Sequence, residues 1–309
     1  MATAISSAQA FDAGSFAGAE SGSRAFAVGE IVIGYTDRSR RVRLPGRGLV
    51  PRPLVTVVRY PAEGGPAGVD VRGAPPARPR GPFPLIVFGH GFAATPAVYA
   101  RLLRAWAGAG YVVAAPIFPL SNARAPGGPD ESDLVNQPVD MSYVVTRMLA
   151  ANAAGRGILR GMIDSREIAV AGQSDGGSTA LAVAYNTHFL DRRVGAAVIL
   201  SGAEIPGIGG YRFPAPSPPL LATQGTADVV NAPSSTYAFY RIAPQPKFLL
   251  SLIGAPHRSP YTNEQPQLGV VERTSIAFLD RYLKHHAGAA PGMRAAGEVP
   301  GVATLIAAQ

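Results

Sequence analysis

Along the chain, short runs that are apolar at nearly every position alternate with segments whose apolar residues fall at helical spacing. The runs are LVTVVRY (54–60), FPLIVFGHG (83–91), YVVAAPIF (111–118), EIAVAGQS (167–174), VGAAVILSG (194–202), PPLLATQG (218–225) and KFLLSLIG (247–254). A strand that is apolar on both sides of its pleat must be covered on both faces, and alternation with helices points to a mostly parallel sheet. The spacing predicts helices over 96–109, 131–152, 175–187, 232–243 and 268–286. In the last, Val270, Ile276, Phe278, Leu279 and Leu283 share one stripe, and the basic residues gather at the C-terminal end, where the helix dipole favours them. The opening stretch, FAVGEIVIGYTD through LVTVVRYP, has turn residues but no room for a crossover helix, so antiparallel edge strands are expected there. The expected fold class is α/β.

Residues 62–82 and 203–219 read as Pro/Gly-rich loops, and no internal repeat is found. The expected layout is one domain over 26–286, a disordered leader over 1–25 and a loosely held, Ala/Gly/Pro-rich tail over 287–309. The leader has neither a basic n-region nor a continuous apolar h-region, so it is not read as a signal peptide. Two compartments stay open: the cytoplasm, or the exterior after loss of a signal. No apolar run is long enough to cross a membrane, and a soluble chain is expected.

The formal charge of +8 comes almost entirely from arginine, since Lys247 and Lys284 are the only lysines. The densest run, DRSRRVRLPGRG, interleaves arginine with Pro and Gly and carries few stacking aromatics, so no nucleic-acid partner is expected and the arginines are read as solubilising charge. The absence of cysteine excludes disulfides, a thiol nucleophile and thiolate metal sites. The five histidines are dispersed, and the adjacent pair His285 and His286 lacks the spacing that converges on one ion. Neither a metal nor any other cofactor is expected.

The chemistry centres on IAVAGQSDGGSTALAVAY (168–185), where Ser174 lies between glycines. In a chain with 36 glycines, G-x-S-x-G alone is a weak signal, so context decides. Here Gly172-Gln173-Ser174-Asp175-Gly176 follows a strand and opens a helix, as a nucleophile elbow requires. A serine hydroxyl needs a base, and the base an orienting acid. Asp228 stands just after one later strand and His257 after the next, which gives the order serine, acid, histidine at one edge of a parallel sheet. The backbone N–H groups of Phe92, after an earlier strand, and of Asp175, after the nucleophile, stand where an oxyanion hole would be built. Phe92 and Tyr211 are candidate substrate contacts, with core packing or loop anchoring an equal account of Tyr211. Among the other polar residues, His90 is read as a structural part of the oxyanion turn and His188 as a helix-end residue. Glu204 is the alternative acid, and the direction of the Asp175 carboxylate stays open.

With these residues in place, the chain from about 28 to 285 resembles the α/β-hydrolases. Within that superfamily it resembles the group containing platelet-activating-factor acetylhydrolase-like proteins, dienelactone hydrolases, chlorophyllases and bacterial cutinase-like polyester hydrolases. FPLIVFGHGF, AGAGYVVAAP, RGMIDSREIAVAGQSDGG, GTADVVNAP and AFLDRYLK match that group's landmarks in order. The polyester hydrolases usually carry Met after the nucleophile, Trp after the next strand and a C-terminal disulfide; this chain has Asp175, LSGAE and no cysteine. Only residues 203–218 separate two consecutive strands where many relatives insert a helical cap, so the resemblance implies an open cleft without a large cap. It also implies a serine carboxylic-ester hydrolase for short to medium acyl esters. The alternatives are a polyester hydrolase and a non-catalytic binding protein on the same fold.

Overall fold

The computed structural model describes residues 25–308. The expected leader therefore falls, all but Ala25, outside the described residues. The antiparallel strands β1 (Ala27–Leu44) and β2 (Gly48–Ala62) form a long hairpin in register from Ala27↔Ala62 to Leu44↔Gly48, with an irregularity between Asp37 and Arg41. The short β3 (Asp70–Arg72) lies parallel to β1 and forms the sheet edge that β1 was expected to form.

After the hairpin, strands and helices alternate: β4 (Phe83–Gly89), α1 (Ala100–Gly108), β5 (Val112–Pro116), α2 (Gln137–Ala153), β6 (Ile163–Gln173), α3 (Asp175–Tyr185) and β7 (Ala196–Leu200). They continue through β8 (Leu220–Gly225), α4 (Pro233–Ile242), β9 (Lys247–Leu252), α5 (Gln267–Tyr282), α6 (Ala289–Gly297) and β10 (Ala303–Ala308). All ten strands share one sheet, in the order β10-β9-β8-β7-β6-β4-β5-β2-β1-β3. The run from β5 to β9 is parallel throughout, so its carboxyl ends, and the loops that leave them, line one edge.

The unbroken apolar runs serve two faces. In β4, Leu85 and Val87 join a core with Val144, Leu181 and Phe239 of α2, α3 and α4. Ile86 and Phe88 point the other way, into a core with Trp106, Phe278 and Met293 of α1, α5 and α6. The Trp106 indole N–H donates to Ser275 Oγ at 2.8 Å, which satisfies the one polar atom of that buried ring and ties α1 to α5. The predicted helices at 96–109 and 131–152 begin with 3₁₀ turns, Pro96–Tyr99 and Glu131–Asn136. No helix interrupts the chain between β7 and β8, so the expected absence of a large cap is met. Among the described residues no helix is long and apolar enough to cross a membrane.

Two expectations need correction. The tail is not loose, because β10 pairs antiparallel with β9 from Ala303↔Leu252 to Ala308↔Lys247. Its composition suggested coil, but Ala303 and Leu305 are buried while Thr304 and Ile306 face out, and Gly297 leaves room for Leu305. The arginines are not all surface charge either. Arg52 is buried and bonds both carboxylate oxygens of Asp133, at 2.9 and 2.6 Å, and both of Asp140, at 2.7 and 2.6 Å. Arg40 adds a bond to Asp140 at 2.6 Å and another to Asp37 at 2.7 Å. This network fastens the β1–β2 hairpin to the Glu131–Asn136 turn and to α2, beside the carboxyl edge of the sheet.

Arg52→Met should destabilise the protein by about 3–5 kcal/mol, because it leaves buried carboxylates with incomplete partners. Urea unfolding at neutral pH checks this, and Arg40→Met, at a partly exposed position, should cost less.

Candidate active site

The turn from β6 into α3 is built from backbone packed against backbone. Ser174 sits at φ 57° and ψ −125°, in the left-handed half of the map that an L-residue occupies only under strain. Glycine permits the turn around it. A Cβ on Gly172 would overlap the Gly176 carbonyl, and one on Gly176 would overlap the Gly89 carbonyl of β4. Ser174 N–H donates to the Leu200 carbonyl at 3.0 Å, which fixes the turn to β7.

Three loops at the carboxyl edge bring Ser174, His257 and Asp228 together. Ser174 Oγ lies 2.8 Å from His257 Nε2, and His257 Nδ1 lies 2.7 Å from Asp228 Oδ2. Asp228 is held from the other side as well: Oδ1 accepts the N–H groups of Val230 and Asn231, both at 2.9 Å, and Oδ2 accepts Gln224 Nε2 at 3.1 Å. These donors fix the Asp228 carboxylate in position, with Oδ2 facing His257 Nδ1. Glu204, the alternative acid, is exposed on the loop after β7, and the carboxylate that His257 meets is Asp228.

The turn after β4 lies against the same point. A Cβ on Gly91 would stand 3.1 Å from Ser174 Cβ, and the Phe92 carbonyl accepts Arg258 Nη2 at 3.3 Å, so this turn meets the histidine loop. Neither the Phe92 nor the Asp175 amide N–H has a partner among the described residues. His90 is fully buried, and burial pushes its pKa down to about 4. Its Nε2 accepts the Phe118 N–H at 3.1 Å and its Nδ1 faces the Gly91 carbonyl at 2.9 Å, so the ring is neutral, with the proton on Nδ1. Both nitrogens serve the shape of the turn.

Several residues in the site were not picked out from the sequence. Gln173 accepts the Tyr99 hydroxyl at 2.7 Å and donates to the His257 carbonyl at 2.9 Å, joining the nucleophile turn to the histidine loop. The Tyr99 hydroxyl also accepts the Gly91 N–H at 3.3 Å. Ser201 and Tyr261 share a 2.8 Å hydroxyl pair, while Asn231 Nδ2 donates to the Ser201 carbonyl at 2.7 Å. The one sequence signal was a polar Gln at the end of an otherwise apolar strand. Tyr211 takes the loop-anchoring role: its hydroxyl accepts the Ile205 N–H at 3.0 Å and its ring packs beside Leu134, Ala182 and Ile205. His188 packs beside Gly210 in the same loop region.

Asp175 follows the serine directly and is 8% exposed. Its Oδ2 is buried with no hydrogen-bond partner among the described residues. Burial pushes its carboxyl up to about 6, and the Glu131 carboxylate adds to the effect. A separate cleft of about 540 Å³, lined in part by Phe83, Gly110, Lys284 and His285, opens at the amino edge of the strands, away from Ser174.

Comparison with known proteins agrees with this architecture. A family model described as Chlorophyllase matches residues 73–202, a segment that holds the Gly91–Phe92 turn and the whole Ser174 elbow. The fold is of the α/β-hydrolase type. The match covers less than half of the chain and stops before Asp228 and His257, so those two residues rest on geometry alone. No curated protein matches the chain.

Because the Asp175 carboxyl titrates higher in the folded chain than its ordinary 3.8, folding binds a proton between the two values, and stability falls as pH rises through that window. Asp175→Asn should therefore raise the unfolding free energy at pH 8 by about 2–3 kcal/mol, and the gain should narrow as pH falls through 6 towards 4. Urea titrations at a series of pH values check both the size and the direction.

Proposed function

We propose that the protein is a serine carboxylic-ester hydrolase that acts through an acyl-enzyme on short to medium acyl esters in an open cleft. The observation that carries this reading is the position of His257, within hydrogen-bond reach of Ser174 Oγ on one ring nitrogen and of Asp228 on the other. The three residues come from loops after different strands, and a purely structural arrangement has no need of that alignment.

In this reading His257 Nε2 removes the Ser174 proton as Oγ attacks the acyl carbonyl. Asp228 holds the imidazole with its proton on Nδ1 and stabilises the imidazolium that forms. Charge develops on the carbonyl oxygen, where the amides of Phe92 and Asp175 receive it; neither has a partner among the described residues, and the Asp175 amide opens a helix. The imidazolium returns its proton to the departing alcohol. Water then enters and His257 takes its proton as the oxygen adds to the acyl carbonyl; the imidazolium returns that proton to Ser174 Oγ as the acyl group leaves as the acid. The Chlorophyllase match supports ester chemistry, and the uninterrupted β7–β8 connection supports an uncapped cleft.

Two measurements test the reading. On p-nitrophenyl esters from acetate to long acyl chains, activity should peak at the short to medium members, and Ser174→Ala should lower kcat by roughly 10⁴- to 10⁶-fold with the fold intact. A variant that keeps a tenth of the activity would move the nucleophile elsewhere. Asp228→Asn should lower kcat by about 10⁴-fold, far more than Glu204→Gln, and the opposite ranking would transfer the orienting role to the β7 loop.

A further inference from the structure

The residue after the nucleophile contributes its amide to the proposed oxyanion hole, but its side chain has no part in the steps above. Asp175 and Thr179 are four residues apart on α3 and so share a face. The Thr179 hydroxyl donates to Gln137 Oε1 at 3.0 Å, so that face looks towards the start of α2 and the Glu131–Asn136 turn. Ser178, three residues on and flanking Asp175 on its other side, accepts the Ala203 N–H at 3.0 Å. The charge of Asp175 is felt by the Tyr99 hydroxyl, which itself sits against Gly91 and Gln173, and the charge of Glu131 is felt by Asp175. These neighbours put the carboxylate in the gap between the Gly91–Phe92 turn and the Glu131–Asn136 turn, beside Ser174 and not out in solvent.

The side-chain donors around that gap are already committed. Tyr99 donates to Gln173, the Gln173 amide to the His257 carbonyl, Thr179 to Gln137, and Gln137 Nε2 to Ser121 Oγ at 2.9 Å. The guanidinium of Arg258, on the histidine loop, bonds the Phe92 carbonyl. Thus Oδ2 is a buried acceptor without a donor among the described residues, one residue from Ser174 on a side chain that keeps 8% of its surface exposed. A buried carboxylate oxygen in that state costs free energy that a donor from outside the protein can recover.

We propose that the Asp175 carboxylate is a specificity residue that accepts a hydrogen bond from an ammonium or hydroxyl group carried by the ester, favouring such substrates over apolar isosteres and disfavouring anionic ones. This rests on the ester-hydrolase reading. Ammonium esters gain most, because Asp175 and Glu131 together make the gap electronegative and a charge-assisted bond is about twice as strong as a neutral one. The titratable and charged groups around the carboxylate are Glu131 from the 3₁₀ turn, Tyr99 before α1, and His257 and Arg258 from the loop after β9. Protonation near pH 6 would turn the acceptor into a neutral acid and weaken the preference for a cation.

The test measures kcat/KM on two matched sets with the full chain. On the acyl side, p-nitrophenyl 6-aminohexanoate is compared with p-nitrophenyl heptanoate and with the mono-p-nitrophenyl ester of adipic acid. On the alcohol side, 2-hydroxyethyl butyrate is compared with propyl butyrate. In at least one set the donor-bearing ester should exceed its apolar isostere by roughly 10- to 100-fold at pH 8. The ratio should fall below pH 6, and in Asp175→Asn the ammonium preference and the pH dependence should both disappear, whatever that variant does to the apolar reference. Ratios that are the same in wild type and Asp175→Asn, in both sets, overturn the inference, and this includes the case in which water alone satisfies Oδ2. If Ser174→Ala hydrolyses every ester as fast as wild type, the ester-hydrolase reading itself fails and this inference with it; serine-dependent hydrolysis with unchanged ratios sinks only the Asp175 role.

Discussion

The structure turns on the crossing of α3 over β4 and β6, where Gly172, Gly176 and Gly89 pack backbone against backbone. No side chain larger than hydrogen fits at Gly172 or Gly176, and the strained dihedrals of Ser174 follow from how sharply the chain must turn between them. Such strain persists only where the surroundings over-determine it. Here β6 lies near the middle of a ten-stranded sheet with β4 on one side and β7 on the other, and α3 is buried along its whole length. The turn is held by the most constrained part of the molecule.

That constraint also organises the polar side chains. Ser174, Asp228, His257 and Phe92 stand on four different loops, so alignment depends on ties between loops more than on any one element. Gln173 links the elbow to the His257 loop, Tyr99 links it to the Gly91 turn, Arg258 reaches back to Phe92, and Asn231 and Tyr261 meet at Ser201. Apart from the exposed Arg258 bond, these are buried or partly buried, where a hydrogen bond is electrostatically stronger than in water. His90 performs the same service with both ring nitrogens, and its burial keeps the ring neutral, so the turn that carries the Phe92 amide does not change charge near neutral pH.

What could be read in the sequence was whatever local pattern encodes. Unbroken apolar runs marked the parallel strands because those strands are covered on both faces, and the elbow was legible because a tight strand-to-helix turn demands small residues at fixed offsets. Asp228 and His257 were legible because chain order and sheet topology together place their loops at one edge. Gln173, Tyr99 and the Arg52 ion network were not, since each depends on partners 74 to 88 residues away that no periodicity reports. The tail was misread for a related reason: its alternation at 303–306 is short, and only pairing with β9 makes a strand of it.

The same locality explains why the direction of Asp175 could not be read in advance. At the first position of a helix an aspartate is favoured by the dipole wherever its side chain points, so composition alone makes it unremarkable. Tertiary packing removes that simple account: the Glu131–Asn136 turn, anchored through Asp133 to the buried Arg52, places a second carboxylate near Asp175 and supplies no cation for it. A fold selected for stability alone would fill that position with an apolar residue or a paired one. An ion network that fastens the hairpin to the turn therefore also shapes the electrostatics beside the nucleophile. The destabilised carboxylate and the strained serine adjoin in a single turn, supported by the same sheet.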